Sequence, residues 1–202
     1  MSSLHPTKQT LLDTVVYLLN SKLPAEINSE EVLEMSGISK GSLYHHYADF
    51  SELIEQALIV RFARYVDASI ASLSQVLRTA RTKTELFEGL KMVTRRTQSE
   101  EMKEGRYERL VSMAAAIRSP RMQLALGVEQ ERLTEALADL FRESQERGWG
   151  NKDFQPRVIA VMVQAYTMGK IVDDITPTHM NEENWALLID AFLERIFFTE
   201  GE

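Results

Sequence analysis

The chain of 202 residues has no cysteine and carries 23 basic and 30 acidic side chains, for a net charge of −7. The absence of cysteine excludes disulfide scaffolds, thiolate metal sites and thiol nucleophiles. The acidic balance argues against non-specific coating of DNA or membranes, although it is compatible with a local DNA-reading face. No long apolar run and no secretory signal are found, so we expect a cytoplasmic protein without membrane contact.

Apolar residues recur with helical periodicity along nearly the whole chain, and no alternating strand pattern lasts more than a few residues. The predicted fold class is therefore all-α, with about nine helices. The predicted helices cover residues 6–21, 29–36, 40–47, 50–79, 83–99, 105–117, 120–147, 156–174 and 182–198. We expect a small N-terminal domain over residues 1–49 and a helical-bundle domain over residues 50–202, connected through the long fourth helix.

The most specific pattern lies between Asn28 and Tyr47. It predicts a short helix, a tight turn at Gly37 and a second short helix capped by Ser39. The outward residues of the second helix can all donate a hydrogen bond from the side chain or the backbone, and none is acidic; they are Lys40, Gly41, Ser42, Tyr44, His45 and His46. A helix that enters the major groove of DNA needs such donors. On spacing alone, an ordinary helical hairpin with a polar face is the alternative.

The residues of this segment resemble the N-terminal part of the tetracycline-repressor (TetR) family of bacterial transcriptional regulators. The family pattern is a small residue and Gly, then hydrophobic-Ser-x-Gly-(Ser/Thr)-Leu-Tyr-x-His-(Phe/Tyr), then a helix that opens with an acidic residue and Leu. Residues 36–47 read Ser-Gly-Ile-Ser-Lys-Gly-Ser-Leu-Tyr-His-His-Tyr, and Glu52 and Leu53 follow. The rest of the chain is similar to the family only in length and helical character.

The resemblance implies a ligand-responsive transcriptional regulator that binds double-stranded DNA. In the family's usual mode it would be a repressor that binds an inverted-repeat operator as a homodimer and is released by a small-molecule effector. The implied DNA-contacting residues are Asn28, Ser29, Lys40, Gly41, Ser42, Tyr44, His45 and His46. Lys40, Ser42 and His45 would face bases, whereas Tyr44 and His46 would bind phosphates.

Two positions and the local charge depart from the family pattern. Phe50 stands where a lysine usually opens the fourth helix and touches a phosphate, and Leu23 stands where a glycine usually follows the first helix. Residues 1–60 hold three lysines and eight carboxylates, a net charge of −5, so we expect a modest DNA affinity and a shallow salt dependence. The alternative function is a helical small-molecule carrier or dimerisation protein that no longer reads DNA.

The last two long helices are predicted to form a dimer interface, because their apolar residues extend beyond one stripe. A two-fold four-helix interface between two chains would cover both helices, and the resemblance implies the same homodimer. A monomer with a large core is the alternative. The candidate interface residues are Val158, Met162, Ala165, Trp185, Ile189, Phe192 and Ile196.

Methionine and aromatic side chains in the second domain are suited to an adaptable apolar pocket, although each can equally belong to the core. The resemblance implies a pocket for an effector between the long fourth helix and the helices that follow it. The candidate effector-binding residues are Phe62, Val66, Leu90, Met113, Ile117, Met162 and Tyr166.

Neither an enzyme nor a cofactor is predicted. The sequence has no Gly-rich phosphate loop, no Gly-x-Ser-x-Gly elbow and no His-Glu-x-x-His motif. We expect no metal site at His45 and His46, because adjacent residues on a helix do not face each other. The carboxylates of Asp173 and Asp174 are likewise adjacent and lie near His179 in a short loop, so no metal site is expected there either.

Overall fold

The computed structural model describes residues 5–197, and within that range it consists of helices and connecting loops without a strand. The helices are α1 (Pro6–Leu18), α2 (Ser29–Ser36), α3 (Lys40–His46), α4 (Phe50–Thr79), α5 (Lys83–Gln98), α6 (Lys103–Arg118), α7 (Pro120–Glu146), α8 (Pro156–Gly169), α9 (Ile171–Asp174) and α10 (Glu182–Phe197). Single turns of 3-10 helix lie at Pro24–Glu26 and Glu100–Met102. The predicted all-α fold class is confirmed.

One predicted helix is divided in the structure. The sequence predicts a continuous helix over residues 156–174, whereas α8 ends at Gly169 and the short α9 begins at Ile171. Lys170 between them keeps right-handed helical dihedral angles, with φ −55° and ψ −26°, so periodicity along the sequence hardly reveals the break.

The described residues form two compact units. The head unit comprises residues 5–65 and 112–126, and the body unit comprises residues 66–111 and 127–197. Helices α4, α6 and α7 each contribute residues to both units. The proposed domain boundary between residues 49 and 50 stays a prediction.

The head unit has an apolar core built by α1 to α4 and the first turns of α7. Its most deeply buried side chains are Leu11, Val15, Val32, Leu43, Tyr47, Leu53, Ala57 and Met122. The Tyr47 hydroxyl donates a hydrogen bond to the backbone carbonyl of Lys8 at 3.1 Å and so ties the end of α3 to α1. Burial, together with the charges of Glu52 and Asp13, raises the pKa of Tyr47 to about 12, which keeps this donor protonated.

The start of α4 is fixed by local hydrogen bonds. The Glu52 carboxylate accepts the backbone N–H of Ala48 at 2.7 Å, and the Asp49 carboxylate accepts the N–H of Glu52 at 2.7 Å. These two bonds satisfy donors that the first turn of a helix leaves unpaired. From α7, the Arg121 guanidinium donates to Glu55 one turn further along α4, at 2.8 Å.

The body unit contains a buried ionic network. Arg106 on α6 is fully buried, and its Nη2 donates to Oδ1 of Asp174 on α9 at 2.9 Å, while its Nε donates to Oδ2. Its Nη1 donates to the carbonyls of Thr97 and Ser99 at 3.1 and 3.0 Å. Lys170 donates to the same Asp174 carboxylate at 3.1 Å, so each charge in the network is paired and hydrogen-bonded.

This network gives Asp174 a structural role that the sequence did not predict. Desolvation would raise the pKa of Asp174, but hydrogen bonds from Arg106 and Lys170 outweigh it, and the pKa is lowered. Asp173 accepts the backbone N–H of Met180 at 2.8 Å and a hydrogen bond from Lys170, and both lower its pKa. Asp174 therefore ties the α8–α9 connection to α6, and Asp173 holds the loop that leads to α10.

Candidate nucleic-acid interface

The turn between α2 and α3 has the geometry of a helix-turn-helix. Asn28 caps α2 by accepting the backbone N–H of Glu31 at 3.0 Å, and Ser39 caps α3 by accepting that of Ser42 at 3.2 Å. Gly37 ends α2 in the left-handed region, at φ 68° and ψ 14°, where a residue with a Cβ is strained. The capping residues and the turn glycine therefore place α3 in a new direction directly after α2.

One side of α3 is buried and the other is open. Leu43 is fully buried, whereas Lys40, Tyr44 and His45 are exposed. Nearly half of Tyr44 is accessible, so its hydroxyl is open to a ligand. The open side presents an ammonium, a phenol and an imidazole, and α3 contains no acidic residue. This arrangement suits contact with phosphates and base edges.

Gly41 lies on the same open side of α3. A Cβ added to it would meet no atom within 4 Å, so the fold itself does not require a glycine there. Gly lowers helix stability relative to Ala, and its presence in a seven-residue helix therefore has a local cost. A glycine at this position lets another molecule come close to the backbone of α3, which is a physical reason for its presence.

Two of the predicted contact residues use part of their hydrogen-bonding capacity within the protein. The Ser42 hydroxyl, half-buried, lies 3.1 Å from the hydroxyl of Ser39. The exposed Asn28 uses its side-chain oxygen in the cap of α2, which leaves the amide nitrogen for a ligand. Ser29, the first residue of α2, is half-buried beside it.

His5, which the sequence pattern does not connect with α3, lies beside the end of that helix. The half-buried ring of His46 lies with its centroid 4.7 Å from that of His5, which caps α1 by accepting the backbone N–H of Thr7. The ring of His45 is 5.1 Å from that of His46. No spacing rule connects positions 5 and 46, so only the packing of α1 against α3 reveals this group.

The two departures from the family pattern have simple structural outcomes. Leu23 has extended backbone dihedral angles, φ −72° and ψ 153°, so its position does not require a glycine. Its N–H donates to the Glu26 carboxylate at 2.7 Å. Phe50 begins α4 and is half-buried, so it supplies packing where a lysine would supply charge.

The candidate dimer-interface residues divide into exposed and internal ones. On α8, Val158, Met162 and Ala165 are exposed in the single chain. On α10, Ile189 and Ile196 are only 6% and 3% exposed, so their side chains pack within the core of the single chain. A wide apolar stripe does not tell which of its edges faces inward, and the assignment of these two residues to a dimer interface stays a prediction.

The remaining two candidates on α10 are half-buried and make contacts within the chain. The Trp185 indole N–H donates to Oε1 of Gln98 at 3.1 Å, and the Phe192 ring packs edge-to-face on Tyr166 with centroids 6.0 Å apart. The large apolar side chains of α10 that are exposed are Leu187 and Leu188.

The candidate effector-binding residues also separate by burial. Phe62, Val66, Leu90 and Tyr166 are buried, and Met113 is half-buried. Ile117 is 82% exposed and Met162 is about half exposed, and the assignment of all seven residues to an effector site stays a prediction. In the body unit the Tyr166 hydroxyl lies 3.2 Å from that of Thr94, and burial raises the pKa of Tyr166.

No family model and no curated protein sequence matches the chain. Solved structures match it over almost its whole length. A putative TetR-family transcriptional regulator from Mesorhizobium loti has 18% identity and a TM-score of 0.69, with 94% of each chain covered. Salmonella enterica GusR has 20% identity and a TM-score of 0.66, with 98% of each chain covered. Escherichia coli NemR in its reduced form has 18% identity and a TM-score of 0.67. The match covers 96% of this chain and 100% of NemR.

Within residues 5–197, no helix is both long enough and apolar enough to cross a membrane. The helix-turn-helix of α2 and α3, the order of the helices after it and the agreement with these structures lead to one conclusion. The chain has the fold of the TetR-family transcriptional regulators.

Proposed function

We propose that the protein is a DNA-binding transcriptional regulator that reads an inverted-repeat operator through α3. The observation that carries this proposal is the open side of α3. Lys40, Gly41, Tyr44 and His45 are exposed there on a helix whose other side is anchored by Leu43. A helix of this kind gains little for the fold from its outward residues, so their chemistry is available for a ligand.

The proposed contacts follow from the donors that each residue offers. Lys40 and His45 donate to base edges in the major groove, and Tyr44 donates to a phosphate that fixes the register. Gly41 lets the backbone of α3 approach the groove closely, and Ser42 adds a hydroxyl. Asn28 and Ser29 meet a phosphate at the start of α2, where unpaired N–H groups favour an anion.

We propose that two chains associate through α8 and α10. The exposed apolar residues on these helices are Val158, Val161, Met162, Ala165, Leu187, Leu188 and Ala191. A monomer rarely leaves so many large apolar side chains in water on neighbouring elements. A two-fold pair would cover them with the same surface of the partner and would hold two recognition helices about one DNA turn apart, roughly 34–36 Å.

A small-molecule effector that binds the body unit would regulate the DNA affinity. Gln98 supports a polar contact there: the residue is 7% exposed, its oxygen is taken by Trp185, and its Nε2 has no hydrogen-bond partner among the described residues. A ligand with a hydrogen-bond acceptor would satisfy this donor. Linkage requires that the effector and the operator each lower the affinity of the protein for the other by the same factor. In a repressor, effector binding then releases the operator.

A second candidate function is a helical small-molecule carrier or dimerisation protein that does not read DNA. The net charge of −5 in residues 1–60 and the phenylalanine at position 50 favour it. The two functions differ in one respect that can be measured, which is sequence-specific DNA binding.

The experiment is a selection of genomic DNA fragments by the purified full-length chain, followed by sequencing of the bound fraction. The proposed function predicts enrichment of an inverted repeat with half-sites about ten base pairs or a multiple of that apart. Absence of enrichment at low salt, from a protein shown to be folded and dimeric, would favour the carrier.

A further inference from the structure

Basic side chains from two helices meet at the end of the recognition helix. His46 closes α3 and lies against His5 at the start of α1, with ring centroids 4.7 Å apart and planes inclined by 33°. Lys8, one turn into α1, has its Nζ 5.0 Å from the centroid of the Tyr47 ring. We call His5, Lys8 and His46 the basic edge.

The neighbouring charges that act on the His46 ring are all basic. The groups that act on the His46 ring are His45 on its own helix and His5 and Lys8 on α1. The carboxylates of Asp13 on α1 and Glu52 on α4 act on the Tyr47 hydroxyl instead. The basic edge is thus a local exception in a region that carries a net charge of −5.

We propose that the basic edge binds a backbone phosphate of the operator and takes up a proton when it does so. The inference rests on the proposed function, since the phosphate belongs to the DNA that α3 reads. Rings 4.7 Å apart are within the span of one phosphate group, whose oxygens accept hydrogen bonds from imidazolium and ammonium. The proton taken up on contact adds positive charge at the phosphate, in a region that carries a net charge of −5.

The direction of the pH effect follows from the state of the free protein. Partial burial, followed by the neighbouring His5, His45 and Lys8, lowers the pKa of His46, so the imidazole is neutral in the free protein near pH 7. A bound phosphate favours the imidazolium and raises the pKa. The gain in affinity is complete below the free-state pKa and is lost as the pH rises through the bound-state pKa.

The test is the affinity of the full-length protein for its selected operator, measured at fixed salt between about pH 6 and 8. We expect the affinity to rise by about threefold to tenfold per unit of pH as the pH falls. His46→Gln and His5→Asn should each reduce this dependence, and Asn keeps a side-chain acceptor at the cap of α1. His179→Gln in the body unit and Lys40→Ala on α3 are controls that should leave the pH dependence unchanged.

The outcomes separate this inference from the proposed function. Specific binding without pH dependence would overturn the role of the basic edge but not the proposed function. The same holds if His46→Gln and His5→Asn retain the full pH dependence of the wild type. Failure of the wild-type chain to bind any DNA sequence would overturn both. Calorimetry in two buffers of different ionisation enthalpy gives an independent readout, because it counts the protons taken up on binding.

Discussion

The head unit and the body unit use ionisable side chains in opposite ways. In the body unit Arg106 and Asp174 are buried and paired with each other, and Lys170 joins them, so their charges serve the fold. In the head unit Lys40 and His45 are held on the open side of α3 by apolar and capping residues that surround them. Charges that are satisfied internally stabilise a structure, whereas charges left in solvent on a rigid helix are available for recognition.

The largest effect is expected in the body unit. Arg106→Met should destabilise the protein by about 3–5 kcal/mol, because it leaves Asp174 buried without its bidentate partner. Urea unfolding followed by circular dichroism measures the loss. Arg132→Met is the matched control, since Arg132 pairs with Asp67 and Glu129 at the surface and its removal should change little. Equal stability of the two variants would contradict the structural role of the buried network.

The next effect concerns the exposed apolar side of α8 and α10. Val158→Asp combined with Leu188→Asp should weaken dimerisation by about 2–4 kcal/mol, because charges would replace apolar side chains at the centre of the proposed contact. Sedimentation measures the change in the association constant. Met92→Asp on α5, an equally exposed apolar residue, is the control. A wild-type chain that sediments as a monomer at all concentrations would refute the interface.

The two glycines of the helix-turn-helix provide a smaller but sharper contrast. Gly37→Ala should destabilise the fold by about 1 kcal/mol, because φ is 68° there. Gly41→Ala should leave stability unchanged or raise it by up to about 1 kcal/mol, while operator affinity falls about tenfold or more. Thermal unfolding and a DNA-binding titration on the same samples measure both quantities. Loss of stability without loss of affinity in Gly41→Ala would show that this glycine serves the fold.

The sequence predicted the head unit in more detail than the body unit, for physical reasons. Local rules determine the turn at Gly37 and the cap at Ser39, and a short helix with few apolar residues has only one side that can be buried. The burial of Ile189 depends on which edge of a wide stripe faces inward, and the pairing of Arg106 with Asp174 joins residues 68 positions apart. The contact between His5 and His46 likewise depends on tertiary packing.

Recognition of DNA by the open side of α3 is decided by the affinity of Lys40→Ala and Tyr44→Ala for the selected operator. Lys152→Ala, at an exposed lysine of the body unit, is the matched control. We expect each α3 variant to bind the operator about tenfold or more weakly, with unchanged thermal unfolding, and the control to bind as the wild type does. Operator affinity that is the same in all four proteins would contradict it.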